Sequence, residues 1–137
     1  MTKLNKILKY SYLGNVYPLC REGWFDLLYK QLTKIDREIY PKYLPTIIKR
    51  LWYWLHYNSP IKYFMQFHWY CYNIFEIKQK YGRLRIYDCA TDIYDETCNL
   101  SWNICEQCGS TKELHTTSGY MIRLCNSCYT KYINNEL

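Results

Sequence analysis

The chain has no apolar run near the roughly twenty residues that a bilayer-crossing helix needs; Lys49, Arg50, Lys62, Glu76 and Lys78 interrupt its aromatic middle. Its opening residues, MTKLNKILKY, lack the apolar stretch and small-residue cleavage site of a secretory signal. The eight cysteines therefore read against a secreted disulfide scaffold, and the expectation is a soluble, cytoplasmic protein with no membrane partner. A glycine-rich phosphate loop, a nucleophile elbow and a convincing cysteine–histidine pair are also missing. No internal repeat, low-complexity tract or flexible linker divides the chain. These absences leave little from which to build an enzyme, so a non-enzymatic role is expected.

The strongest positive signal is a pair of C-x-x-C knuckles. Cys105 and Cys108 are followed, after sixteen intervening residues, by Cys125 and Cys128, a spacing that reads as one zinc site. Tetrahedral Zn2+ accepts four thiolates, and each C-x-x-C turn brings two sulfurs to one ion. The first knuckle runs into Gly109, where the chain leaves the metal through a tight turn. Residues 112–116 and 120–124 flank Thr117-Ser118-Gly119 as a hairpin, and the second knuckle opens into a short helix at 129–133. Knuckle, hairpin, then a knuckle at a helix start is the order of a treble-clef zinc finger. Four cysteines leave no open coordination position, so one structural zinc is the cofactor expected. His115, on the hairpin, is the alternative ligand. It is also where a treble-clef nuclease would place a base, yet no second histidine or carboxylate follows to hold a catalytic metal, Asn126 and Asn134 being poor substitutes. Cys20, Cys71, Cys89 and Cys98 have no regular spacing and read as buried thiols.

Net charge is +6 and unevenly spread: residues 1–85 hold fifteen Lys and Arg against five Asp and Glu, residues 86–137 three against seven. The basic half is not the cysteine half, which points to a polyanionic partner for the body or to a merely solvated basic face. Aromatics make up 19% of the chain, a bias that AT-rich coding explains as well as function does.

In chain order, Leu4, Ile7 and Leu8 mark a short weak helix, followed by a loop through Gly14 and Pro18. Trp24, Leu28, Leu32, Ile35 and Ile39 share one side of an amphipathic helix, with Asp26 four residues before Lys30 on its polar side. After Pro45 the next helix has an apolar stripe of Ile47, Ile48, Leu51 and Leu55, with Lys49, Arg50, Tyr53 and His56 outward. Ser59 and Pro60 start a central buried helix that runs to about Tyr81, with Gly82 as its left-handed cap and His68 as a core residue. Residues 83–87 alternate as a strand, Leu84 and Ile86 inward. Thr91 caps a helix through Ile93, Thr97, Leu100 and Ile104 that delivers the chain to the first knuckle. The fold class is α+β: a mainly helical body, 1–104, with a short strand, and a treble-clef-like zinc module, 105–137, packed on it.

Three stretches resemble a group of small uncharacterised proteins of bacteriophages and prophages: Gly23-Trp24-Phe25-Asp26-Leu27-Leu28 at a helix start, residues 77–87 around Lys80-Tyr81-Gly82-Arg83-Leu84-Arg85, and Cys105 to Gly109 with Leu124 to Cys128. The likeness spans roughly residues 22–130 and implies a viral source and a shared fold, with no activity attached. The aromatic insert at 40–63 is longer than the group implies.

Function is expected first as docking on a host or phage protein, such as a polymerase, nuclease or defence complex, through Trp52, Tyr53, Trp54 and Tyr57, since rigid aromatics dominate interface energetics. The alternative partner is nucleic acid, met by Lys78, Lys80, Arg83, Arg85 and Tyr87 through phosphate neutralisation and stacking. A third reading is sequestration of a nucleotide by an aromatic ring with Arg83 or Arg85 on its phosphates.

Overall fold

The computed structural model of the chain describes residues 1–39, 44–58, 74–88 and 92–137. Numbered among these, the elements are α1 (Lys3–Leu8), β1 (Pro18–Leu19), α2 (Phe25–Ile39), α3 (Thr46–Asn58), β2 (Ile74–Lys80), β3 (Arg83–Asp88), α4 (Ile93–Trp102), β4 (Leu114–Thr116), β5 (Arg123–Cys125) and α5 (Asn126–Ile133). One sheet has the order β1-β2-β3, with β1 parallel and β3 antiparallel to β2; β4 and β5 form a separate hairpin. The class is α+β, with the four knuckle cysteines together at the C-terminal end.

Helix α2 is the pillar of the body. Trp24, Leu28, Leu32 and Ile35 are all fully buried, as their spacing of three and four requires, and they share one core with Ile77, Leu84 and Ile86 of the sheet and Ile7 of α1. Asp26 does not pair with Lys30. It meets Lys3 Nζ at 2.7 Å and so ties α1 down.

Helix α3 forms where expected, but it turns Lys49 inward and its apolar residues outward, while Arg50 is exposed as expected. Ile47, Ile48, Leu51 and Trp54 are 76%, 45%, 56% and 56% exposed, whereas Lys49 is 6% exposed. The cause is Asp36 on α2: Lys49 Nζ donates to both its carboxylate oxygens at 2.8 and 3.0 Å, and the Tyr12 hydroxyl donates to the same carboxylate at 2.8 Å. An interior carboxylate needs a cation, and Lys49 supplies it.

The long helix to Tyr81 is overturned in its last turns. Ile74–Lys80 is a strand, while the start of that helix and His68 lie outside the described residues. Tyr81 and Gly82, with φ of 55° and 71°, make a two-residue loop between Lys80 and Arg83, which are paired in register. Two positive φ angles match the right-handed twist of the flanking strands, so Gly82 serves a hairpin and not a helix end. The stretch around Pro18, expected as loop, adds the short parallel strand β1. Helix α4 covers the outer edge of β3, where the Leu84 N–H donates to Ser101 Oγ at 2.9 Å and is not left open to another chain. Thr91 lies outside the described residues, and Leu100 is 42% exposed.

The cysteine hairpin packs on the body. Gly23 N–H donates to the Glu106 carbonyl at 2.9 Å, and a Cβ on Gly23 would meet the Cys105 carbonyl oxygen at 2.3 Å. Only glycine permits that approach. Trp24 Nε1 donates to the Ile104 carbonyl at 3.0 Å, Gln79 Nε2 to the Met121 carbonyl, and Arg123 Nε to the Trp102 carbonyl at 2.9 Å.

Candidate metal centre and nucleic-acid interface

The first knuckle is shaped by its own backbone: Gly109 N–H donates to the Cys105 carbonyl at 2.9 Å, and Cys105 N–H to the Ser110 carbonyl at 2.7 Å. Gly109 takes the positive φ, 83°, that the turn demands. The second knuckle lies where β5 becomes α5, which starts at Asn126, three residues earlier than expected. Thr117 closes the hairpin between them, its Oγ1 accepting from the Ile122 N–H at 3.0 Å.

The sulfurs of Cys105, Cys108, Cys125 and Cys128 lie within 4.8 Å of one another, with Cys108 and Cys125 3.6 Å apart. A tetrahedral centre with metal–sulfur bonds of about 2.3 Å has sulfur–sulfur edges of about 3.8 Å. The four residues therefore fit a thiolate-bound ion. Metal-free, they share charge badly. Burial and the neighbouring thiols push Cys128 up to about 12. Cys125, against the desolvation that opposes it, is drawn down to about 6 by Ser127, the Cys128 N–H and the adjacent thiols. A divalent cation removes that conflict by favouring all four thiolates together. His115 is not in the cluster; its ring packs on Tyr129 at 5.3 Å.

Beside the cluster sits a buried carboxylate. Glu106, 2% exposed, faces Arg21 Nε at 3.7 Å, and its burial lifts it from 4.5 to about 7. Cys20 is half-buried and pushed up to about 12 by desolvation and then by Glu106. Burial likewise raises the Cys98 thiol. Cys71 and Cys89 lie outside the described residues.

Lys78, Lys80, Arg83, Arg85 and Tyr87 come together on one face of the β2–β3 hairpin. The register sets Lys78 opposite Arg85 and Lys80 opposite Arg83, while the alternating residues Ile77, Gln79, Leu84 and Ile86 are buried. Like charges directly across an antiparallel pair are destabilising. Glu76 relieves Lys78, and the Tyr94 hydroxyl accepts from Arg85. Aromatic rings take up part of the rest: Lys78 lies 5.3 Å from the Tyr87 ring, Lys80 5.4 Å from Tyr81, Arg85 5.7 Å from both Tyr81 and Tyr94. Trp102 holds two guanidinium groups, Arg83 at 4.5 Å and Arg123 at 4.2 Å. Burial and then the Arg83 charge lower the pKa of Arg123.

No protein-family model, curated protein or solved structure matches this chain at a significant level.

Arg123, Trp102 and Tyr94 join this face although the sequence reading did not include them. Arg123 immediately precedes Leu124-Cys125, and its backbone carbonyl accepts from Glu106 N–H at 2.8 Å, so it belongs to both knuckles. No periodicity marks such a residue; only the docking of the two lobes brings it beside Arg83. Of the aromatic helix residues, Trp54 is solvent-facing, and the side chains of Trp52, Tyr53 and Tyr57 lie outside the described residues. Among the described residues no helix is long and apolar enough to cross a membrane.

Proposed function

We propose that this protein binds single-stranded nucleic acid on the β2–β3 face, with one Zn2+ in a treble-clef-like module bracing that face from the side. The observation that carries the reading is the cross-strand opposition of Lys78 with Arg85 and Lys80 with Arg83. Folding alone gains nothing from placing like charges opposite one another. A phosphate backbone turns that cost into binding energy, and the interleaved rings of Tyr81 and Tyr87 offer stacking surfaces for bases. Zinc contributes indirectly: both knuckles hold the backbone of Arg123, and Arg123 completes the cationic set.

Fluorescence anisotropy with a labelled oligonucleotide tests this. Four phosphate contacts on a single strand give a log–log salt slope of about −3, and Lys80→Glu with Arg83→Glu should abolish binding. Absence of binding in about 20 mM salt, where counterion release is most favourable, would sink the proposal. Metal analysis of the purified protein should find one zinc per chain.

A second reading is favoured by α3. Ile47, Ile48, Leu51 and Trp54 make an exposed apolar stripe at helical spacing, the form in which a helix offers anchors to a protein groove. In this reading the chain is an accessory protein that docks on a host or phage complex. Leu51→Asp with Trp54→Ala should then release a co-purifying protein that withstands nuclease, while the Lys80 and Arg83 substitutions should not.

A further inference from the structure

A second set of cations surrounds a cavity that flanks α2 beside its buried stripe. The cavity, about 460 Å3, lies between α1, the turn that follows it, α2 and α3. Its size falls in the range of small-ligand sites. Three cations stand on its walls, Lys6, Lys9 and Arg50, all exposed. Each comes from a different position: Lys6 from α1, Lys9 from the end of that helix, Arg50 from α3. Among the described residues none of the three has an ion pair or a hydrogen-bonded acceptor for its side chain. The one carboxylate among the described lining residues, Asp36, is committed to Lys49 and the Tyr12 hydroxyl and so does not oppose an anion.

Thr46 and Ile47 of α3 add a short stretch of wall, and the rest is aromatic. Tyr10, Tyr12 and Tyr29 line the cavity, and their rings are tilted, not stacked: Tyr10 lies 5.8 Å from Tyr29 at 58° and 6.1 Å from Tyr12 at 52°. Neither pair stacks face to face, which leaves ring surface on the exposed Tyr29 for a planar guest. Tyr10 is fixed by its hydroxyl contact to Thr33 at 2.7 Å, and Tyr29 is 40% exposed at the mouth. Cations at the rim and ring faces within are the two halves of one recognition chemistry. We infer that this cavity binds a small phosphorylated ligand with a planar ring, of the nucleoside 5′-phosphate class. Lys6, Lys9 and Arg50 hold the phosphates, and the ring lies against Tyr29 and Tyr10.

This site is separate from the β2–β3 face, and titration calorimetry keeps the two apart. With adenosine diphosphate as probe in low salt, one-site saturation below about 1 mM is expected. Adenosine and inorganic phosphate, each carrying half of the contacts, should bind at least about tenfold more weakly, a difference of about 1.4 kcal/mol. Lys9→Ala with Arg50→Ala should cost the diphosphate a similar factor, and Tyr29→Ala a smaller one. These side chains are exposed, so the substitutions should leave the melting curve nearly unchanged. Lys80→Ala with Arg83→Ala should leave the affinity unchanged. No saturation by about 1 mM, equal binding of diphosphate and inorganic phosphate, or loss of binding in the sheet variant instead of the cavity variant would each overturn the assignment.

Discussion

Asp36 decides more of this fold than any apolar residue near it. Its carboxylate is 13% exposed and its partner Lys49 Nζ is 2.8 Å away, so removing either side strands the other. Asp36→Ala should destabilise the protein by about 3–5 kcal/mol, whereas Asp36→Leu with Lys49→Met, which removes both charges and keeps volume, should cost far less. Urea titration of the two variants checks this. Glu106 makes the opposite case. Its carboxyl is held at about 7 against 4.5 in an ordinary setting, so the fold favours the protonated form. That contribution is fully present below about pH 4.5 and is lost as pH rises through about 7. A four-thiolate metal centre, with its residual negative charge, would act in the same direction. Glu106→Gln, which imitates the protonated acid, should therefore stabilise by about 1–3 kcal/mol at pH 8, with a smaller gain at pH 6, measured by denaturant unfolding of the zinc-loaded protein. Neither effect is visible in the sequence: Asp36 and Lys49 lie thirteen residues apart on different helices, and Glu106 looks like any polar residue inside a knuckle.

At the scale of elements, what periodicity could decide was legible and what depended on a neighbour was not. Trp24, Leu28, Leu32 and Ile35 declared α2, and the alternation at Leu84 and Ile86 declared β3. The strand before it was hidden because Ile74, Phe75 and Ile77 do not alternate; a bulge between Ile74 and Glu76 shifts the register. The hairpin turn itself carried a signal, since Tyr81-Gly82 after Lys80 fits a loop that demands a strand on each side. α3 misled for a different reason. Its apolar stripe is real, yet the ion pair at Lys49 outweighs it and turns the stripe to solvent. The turn yields a prediction that separates stability from binding. Tyr81 sits at positive φ, where asparagine is better tolerated, and its ring lies against Lys80 and Arg85. Tyr81→Asn should raise stability by up to about 1 kcal/mol, since asparagine relieves part of the left-handed backbone cost, while weakening oligonucleotide binding, as anisotropy and thermal melting together would reveal. Unchanged affinity would mean that the ring is not a stacking surface.

For the whole molecule, the two lobes should lose stability together. Gly23, Trp24 and Gln79 hydrogen-bond across to residues 104–121, so loss of an ion held by the four cysteines would act beyond the hairpin. Chelation, or Cys105→Ser, should lower the melting temperature of the whole chain in a single transition, because binding energy at such a site is folding energy. A separate early transition confined to the hairpin, seen by Tyr120 or Tyr129 substitution probes, would contradict it. The cysteine spacing announced this centre at once, but its attachment to the body was written only in a glycine and a tryptophan eighty residues earlier. That attachment also sets a timetable for synthesis. Trp24 leaves the ribosome before its partners at 104–106 exist, and at about 5–20 residues per second the interval is roughly 4–16 s. Throughout it the indole at the centre of the body has no lid. The nascent chain must keep that surface out of reach of other chains until its last third emerges; if the four cysteines hold an ion, as proposed, metal supply then governs yield as well as the stability of the finished protein.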